Sequence, residues 1–307
     1  MSLKTIGFID LPENIQPGGF DHAAIHARTN RVYVAHTIND TIDIIDGAND
    51  VYFSSIPDLT GAAGVLVSDE LNLGFTSNRG ENSVGVFKPL DEQELVKIPV
   101  GIHPNGLAFD SKRGYLLAAN VGDPEISGSY TVSIVDIQKR KMIHDVNVPG
   151  RTRWAIFDPR TREFFVNIAD PAQVVTIAAG KPDQISRIIE IPAAGPHGLD
   201  LDVATGQLFC ACDCGKLFWL DASSGKILGS TDLSGKPDVI FFNPSLKHLY
   251  AAVGDPGVID LFDTTAFIRL ASVPTEKGTH TLAFDARRNK VYAFLPQSHR
   301  AQIFIDT

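Results

Sequence analysis

Asp21, Asn105, Arg153, His197, Asp238 and His280 fall into one series with Ala63, each member 41 to 48 residues from the next. Side chains of these types, gathered on one ring, support three chemistries. Asp21, His197, Asp238 and His280 form a donor set for a single divalent ion; imidazole suits Zn or Fe, and carboxylate suits Ca or Mn. Without a metal, His197 and His280 form a general acid/base pair, and Arg153 holds an anionic substrate. In the third reading the same residues line a wet channel and do no chemistry.

A second series runs His36, Asn78, Asn120, Ile168, Cys212, Val253 and Leu295. It is polar in its first three members and mostly apolar afterwards. With Asn105, the residues His36, Asn78 and Asn120 are candidate contacts for an amphipathic small molecule; the alternative is that they cap backbone groups in their own loops. His22 and Trp154 stand where other copies carry Gly64, Gly106 and Gly198. They are expected to project toward a ligand, Trp154 as a stacking wall or as core. His26 shares a column with Asp110, Asp158, Asp202 and Asp285 and reads as a turn residue.

These series exist because the chain repeats. Between Gly101 and Val148 a Gly/Pro turn leads into an apolar strand ending Phe109-Asp110, then a polar turn and three further strands. The order recurs seven times. The apolar residue closing the first strand is Ile25, Val67, Phe109, Phe157, Leu201, Phe242 and Phe284. Short strands alternating in polarity and bounded by Gly, Pro, Asn and Asp argue for β structure. Four strands per unit at this period make a propeller blade. The chain is therefore expected to be all-β, a single seven-bladed β-propeller domain over residues 1–307. The last copy ends at its third strand, Ala301–Thr307, and Lys4–Pro12 supplies a spare one. The N-terminal strand is thus expected to close the last blade. In such a blade the start of the first strand and the loop after the second share one face, so the two series become rings around a funnel.

A net charge of -9 disfavours nucleic acid, which needs a basic face. No apolar run approaches the ~20 residues that span a bilayer, and the N-terminus lacks a signal-peptide pattern. The expected location is cytoplasmic, or periplasmic or secreted if a signal peptide has been removed. The expected partner is a small molecule in the funnel, with no nucleic acid and no membrane. Cys210, Cys212 and Cys214 make no disulfide framework and no CxxC pair. Neither a GxSxG nor an HExxH motif is present, and serine-type hydrolysis is disfavoured.

The phrases Tyr33–Asp46, Leu116–Ile137 and Tyr250–Asp263, with the strand openings His103–Asp110 and Gly195–Asp202, resemble the YVTN-type propeller repeat. The resemblance covers nearly the whole chain. It implies the fold strongly and an activity only weakly, because this superfold hosts many functions. The Gly-His and Trp-Asp marks of WD repeats are missing. Lactonase-type and amidating-lyase-type propellers, which the architecture also resembles, hold a metal in the funnel. By that analogy the expectation is a metal-dependent hydrolase, lactonase-like, or a lyase, with one divalent ion (Zn, Ca, Mn or Fe) polarising a carbonyl and activating water. The competing expectation is a non-catalytic ligand-binding or protein-interaction scaffold.

Overall fold

The computed structural model describes residues 2–307. Their strands form seven four-stranded antiparallel sheets arranged as the blades of a β-propeller. The inner strands are Ala23–His26, Ala62–Ser68, Pro104–Asp110, Thr152–Asp158, Pro196–Asp202, Pro237–Asn243 and Thr281–Asp285. Blades one to six are contiguous in sequence. In blade seven the outer strand is Leu3–Asp10, paired antiparallel with Arg300–Asp306. The N-terminal strand closes the ring, as the truncated last repeat requires.

A blade has two apolar faces and cannot bury either alone. The core accordingly divides into seven clusters, one at each interface between neighbouring blades. Second strands are buried on both faces, as in Arg31–His36 and Gln207–Cys212. Outer strands such as Ile227–Asp232 alternate and face solvent. The strand that the closing strand pairs with, Arg300–Asp306, also carries polar fastening: Asp306 accepts hydrogen bonds from His248 Nδ1 and the Tyr250 hydroxyl of blade six, both 2.7 Å.

The recurrent Asp column has a local cause. Asp110, Asp158, Asp202 and Asp285 each accept the N–H two residues on, at 2.8–3.0 Å, and close the turn after the inner strand. His26 does the same job differently: its Nδ1 meets Thr29 Oγ1 at 2.8 Å. Near the start of the inner strands the blades crowd the axis. A Cβ at Gly64, Gly106 or Gly198 would overlap the carbonyl of Asn105, Arg153 or Asp238 in the next blade. Glycine here permits close approach of two backbones. It also fixes where the ring residues of the following blade sit.

Candidate functional site

The starts of the inner strands and the loops after the second strands meet on one face of the ring. His197 is the centre of what they build. Its Nδ1 lies 2.7 Å from Asp213 Oδ1 and its Nε2 3.0 Å from Asp238 Oδ1. A ring with a carboxylate at each nitrogen is held as the imidazolium. Burial opposes that charge, but Asp238 and Asp213 outweigh it and push the pKa up to about 9. The converse holds for the acids. Asp238 is half-buried, which opposes its charge, yet His197, with His280 and His22 beyond it, keeps its carboxyl far below the usual range. Asp213 is also lowered by His197, Arg153 and Lys236 against the opposing effect of burial.

Arginines surround this core. Arg153 Nη2 is 3.5 Å and Lys236 Nζ 3.4 Å from Asp213 Oδ2. Arg79 Nη2 is 3.3 Å from Asp21 Oδ2. Arg151 presents much of its surface to solvent. Partial burial of its guanidinium, followed by the nearby charges of Arg153 and Arg79, pulls its pKa down despite Asp213. Five cations (Arg79, Arg151, Arg153, Lys236 and protonated His197) therefore face three carboxylates, Asp21, Asp213 and Asp238. The cluster keeps a positive surplus. Nε of Arg79 and Nε of Arg153 are buried without a hydrogen-bond partner, so donor capacity is unspent as well.

His280 is arranged differently from His197. Its Nδ1 lies 2.7 Å from the Gly278 carbonyl oxygen, to which it donates. That contact leaves Nε2 with the lone pair in the neutral ring. Below the ring, His22 packs on Trp154 with ring centroids 4.0 Å apart, and Trp154 meets Phe241 edge-on at 6.3 Å. Burial lowers the pKa of His22 despite Asp21 at 3.3 Å, so this ring is neutral at pH 7. Asn105 is buried with an unpartnered Oδ1, while its carbonyl accepts from Ser77 Oγ.

The four proposed metal donors do not fit a divalent ion as they are placed. Both nitrogens of His197 are engaged by carboxylates, and a doubly protonated imidazole offers no lone pair. Asp21 is engaged by Arg79 and His22. No three His, Cys, Asp or Glu side chains converge as a ligand set among the described residues. The structure joins His197 to Asp238 and Asp21 to His22, and leaves His280 anchored to its own loop.

The second ring departs from expectation in a regular way. His36, Asn78 and Asn120 point into their blades and are wholly buried. His36 Nδ1 meets Asp43 Oδ2 at 2.7 Å and its Nε2 meets Asn14 Oδ1 at 2.8 Å. Asn78 bonds Thr76 and Ser83; Asn120 bonds Thr131 and Ser133. They serve the blade and not the funnel. Strand side chains alternate, so the neighbouring column faces the other way. That column holds Arg79 and Asp213, each directly after a member of the expected ring. A shift of the ring by one residue finds both. Arg151 and Lys236 each stand two residues before Arg153 and Asp238, which is the sequence signal for them.

No protein-family model matches the chain, and neither does any curated protein sequence. Among solved structures, a chain of hydrazine synthase from Kuenenia stuttgartiensis is similar, with a TM-score of 0.83 and 12% identity, over 96% of this chain and 97% of that one. A chain of the mitotic checkpoint complex is similar with a TM-score of 0.80 and 11% identity, over 98% of this chain and 91% of that one. At these identities the likeness is one of fold.

Proposed function

We propose that this protein is a small-molecule-binding propeller whose funnel receives an anionic ligand, with Arg79, Arg151 and Arg153 as its receptors and His197 as a fixed positive charge beside them. The observation carrying this reading is the surplus of cations at the funnel, where burial and then the charges of Arg153 and Arg79 pull down the pKa of Arg151. Like charges held together cost free energy until an anion joins them, and a guanidinium pairs a carboxylate or phosphate with two parallel hydrogen bonds. The YVTN-like phrases support the fold and add nothing to the ligand.

Calorimetric titration with succinate and with inorganic phosphate tests it. Saturable binding of at least one probe is expected in low salt, weakening as ionic strength rises. Arg151→Glu with Arg153→Glu is expected to abolish it, a loss of a hundredfold or more, with the circular dichroism spectrum retained. Equal binding by the variant, or none by the parent, would reject this reading.

A second reading has its own support. The two funnel histidines are held differently, His197 as the acid between two carboxylates and His280 by its Nδ1 on the Gly278 carbonyl with Nε2 not taken by that contact, and two such histidines are what an acid/base pair requires. On this reading the bound anion is a substrate, an ester or lactone bearing an acidic group, or a compound cleaved by a lyase reaction.

A further inference from the structure

The axial channel below the ring holds a feature that the funnel chemistry leaves unused. A cavity of about 270 Å³ is bounded by the inner strands, among them His22, Leu66, Trp154, Ile156, Asp200 and Phe241. In the column two residues before the end of the inner strand the blades supply Ala24, Leu66, Ala108, Ile156, Asp200, Phe241 and Ala283. One member of seven is charged.

Asp200 is tied down. Its Oδ2 accepts the N–H of Phe242 from blade six at 2.6 Å, and its Oδ1 accepts the N–H of Leu201 at 2.8 Å. Protein surrounds it, and the surface it retains faces the channel. Burial raises its pKa to about 7 against those two N–H groups, and no charged side chain contributes. The inner strands of the other blades present alanine, leucine, valine, isoleucine and aromatic groups to the cavity. Their one titratable member is His22, whose own charged neighbours are Asp21, Asp238, Arg79 and His197. Asp200 is thus a carboxyl with no counter-ion, in an apolar chamber larger than water needs.

From this geometry we infer a second site: the channel binds a small organic ammonium, its cation on the Asp200 carboxylate and its apolar body against Leu66, Ile156 and Phe241. An isolated buried carboxylate is costly, and an opposite charge removes most of that cost. Each carboxylate oxygen has one backbone donor and retains accepting capacity toward the cavity. Trp154 and Phe241 add aromatic surface, which attracts a desolvated cation. The opposite sign of charge separates this site from the anion funnel, and the inference does not rest on that reading.

Benzylamine, cationic throughout the range, is the probe, titrated calorimetrically at pH 8.5 and pH 5.5. Binding is expected at pH 8.5. At pH 5.5 it should be roughly thirtyfold weaker, because a carboxyl titrating near 7 must first release its proton. Asp200→Asn should abolish binding and its pH dependence. Ile156→Trp, which fills the chamber and keeps the charge, should block binding as well. Arg151→Glu with Arg153→Glu should leave it intact, which separates failure of this site from failure of the funnel. The inference is overturned if parent protein does not bind benzylamine at pH 8.5. It is overturned equally if Asp200→Asn binds as well as the parent, or if affinity is the same at both pH values.

Discussion

Removal of residues 2–11 is expected to abolish the cooperative thermal transition and leave an aggregation-prone chain. The deleted segment pairs with Arg300–Asp306 along its length and buries Leu3, Ile9 and Leu11. At ~1.5–3 kcal/mol for each buried side chain, the loss is on the order of 5–9 kcal/mol before any ladder hydrogen bond is counted. That is comparable to the whole stability of an ordinary domain, about 5–15 kcal/mol. The deletion also opens the edge of Arg300–Asp306, a template for pairing between chains. Circular dichroism melting and size exclusion would show the outcome. A synthetic peptide spanning residues 2–12, added during refolding, should restore the transition. A deleted chain melting cooperatively at the parent midpoint would refute closure by this strand.

The second large effect concerns pH. His197 binds its proton more tightly in the native state, about 9 against an ordinary 6.5, so it stabilises the fold fully below pH 6.5. That stabilisation is lost as pH rises through 9. Between pH 7 and pH 9.5 the unfolding free energy should fall by about 2–3 kcal/mol, read from urea denaturation at fixed temperature. His22, lowered by burial, changes charge below this window, and Asp200, raised to about 7, at its lower end, so the fall above pH 8 is the part that reports His197. Asp238→Asn removes the chief charge holding the proton. This variant should be less stable than the parent at pH 7 and nearly level with it at pH 9.5. A parent whose stability does not change across the window would mean that His197 is not the tethered imidazolium described here.

The fold was legible because a propeller writes itself seven times. A column such as Ile25 to Phe284 repeats at near-constant spacing, and the seventh copy lacks a strand that the N-terminus visibly holds. The ring from Asp21 to His280 was legible for the same reason, since one column of a repeat becomes one circle in space. What failed was parity. His36, Asn78 and Asn120 are conspicuous polar residues, but a strand turns alternate side chains to opposite sides, and they face inward to Asp43, Thr76 and Ser133. Arg79 and Asp213 occupy the next position and reach the funnel. Residue type alone does not fix that parity; the pairing of Asn78 with Ala62 and of Cys212 with Pro196 does. The metal reading took no account of a fifth group. Two histidines and two aspartates in a column look like ligands until Asp213, outside the column, takes the remaining nitrogen of His197.

The central claim, an anion receptor at the funnel, is tested most directly by crystals of the protein soaked in bromide, with anomalous scattering recorded at the bromine absorption edge. A bromide is expected among Arg79, Arg151 and Arg153, absent from crystals of Arg151→Glu with Arg153→Glu. Bromides confined to outer-surface lysines, with the funnel empty of them, would contradict it.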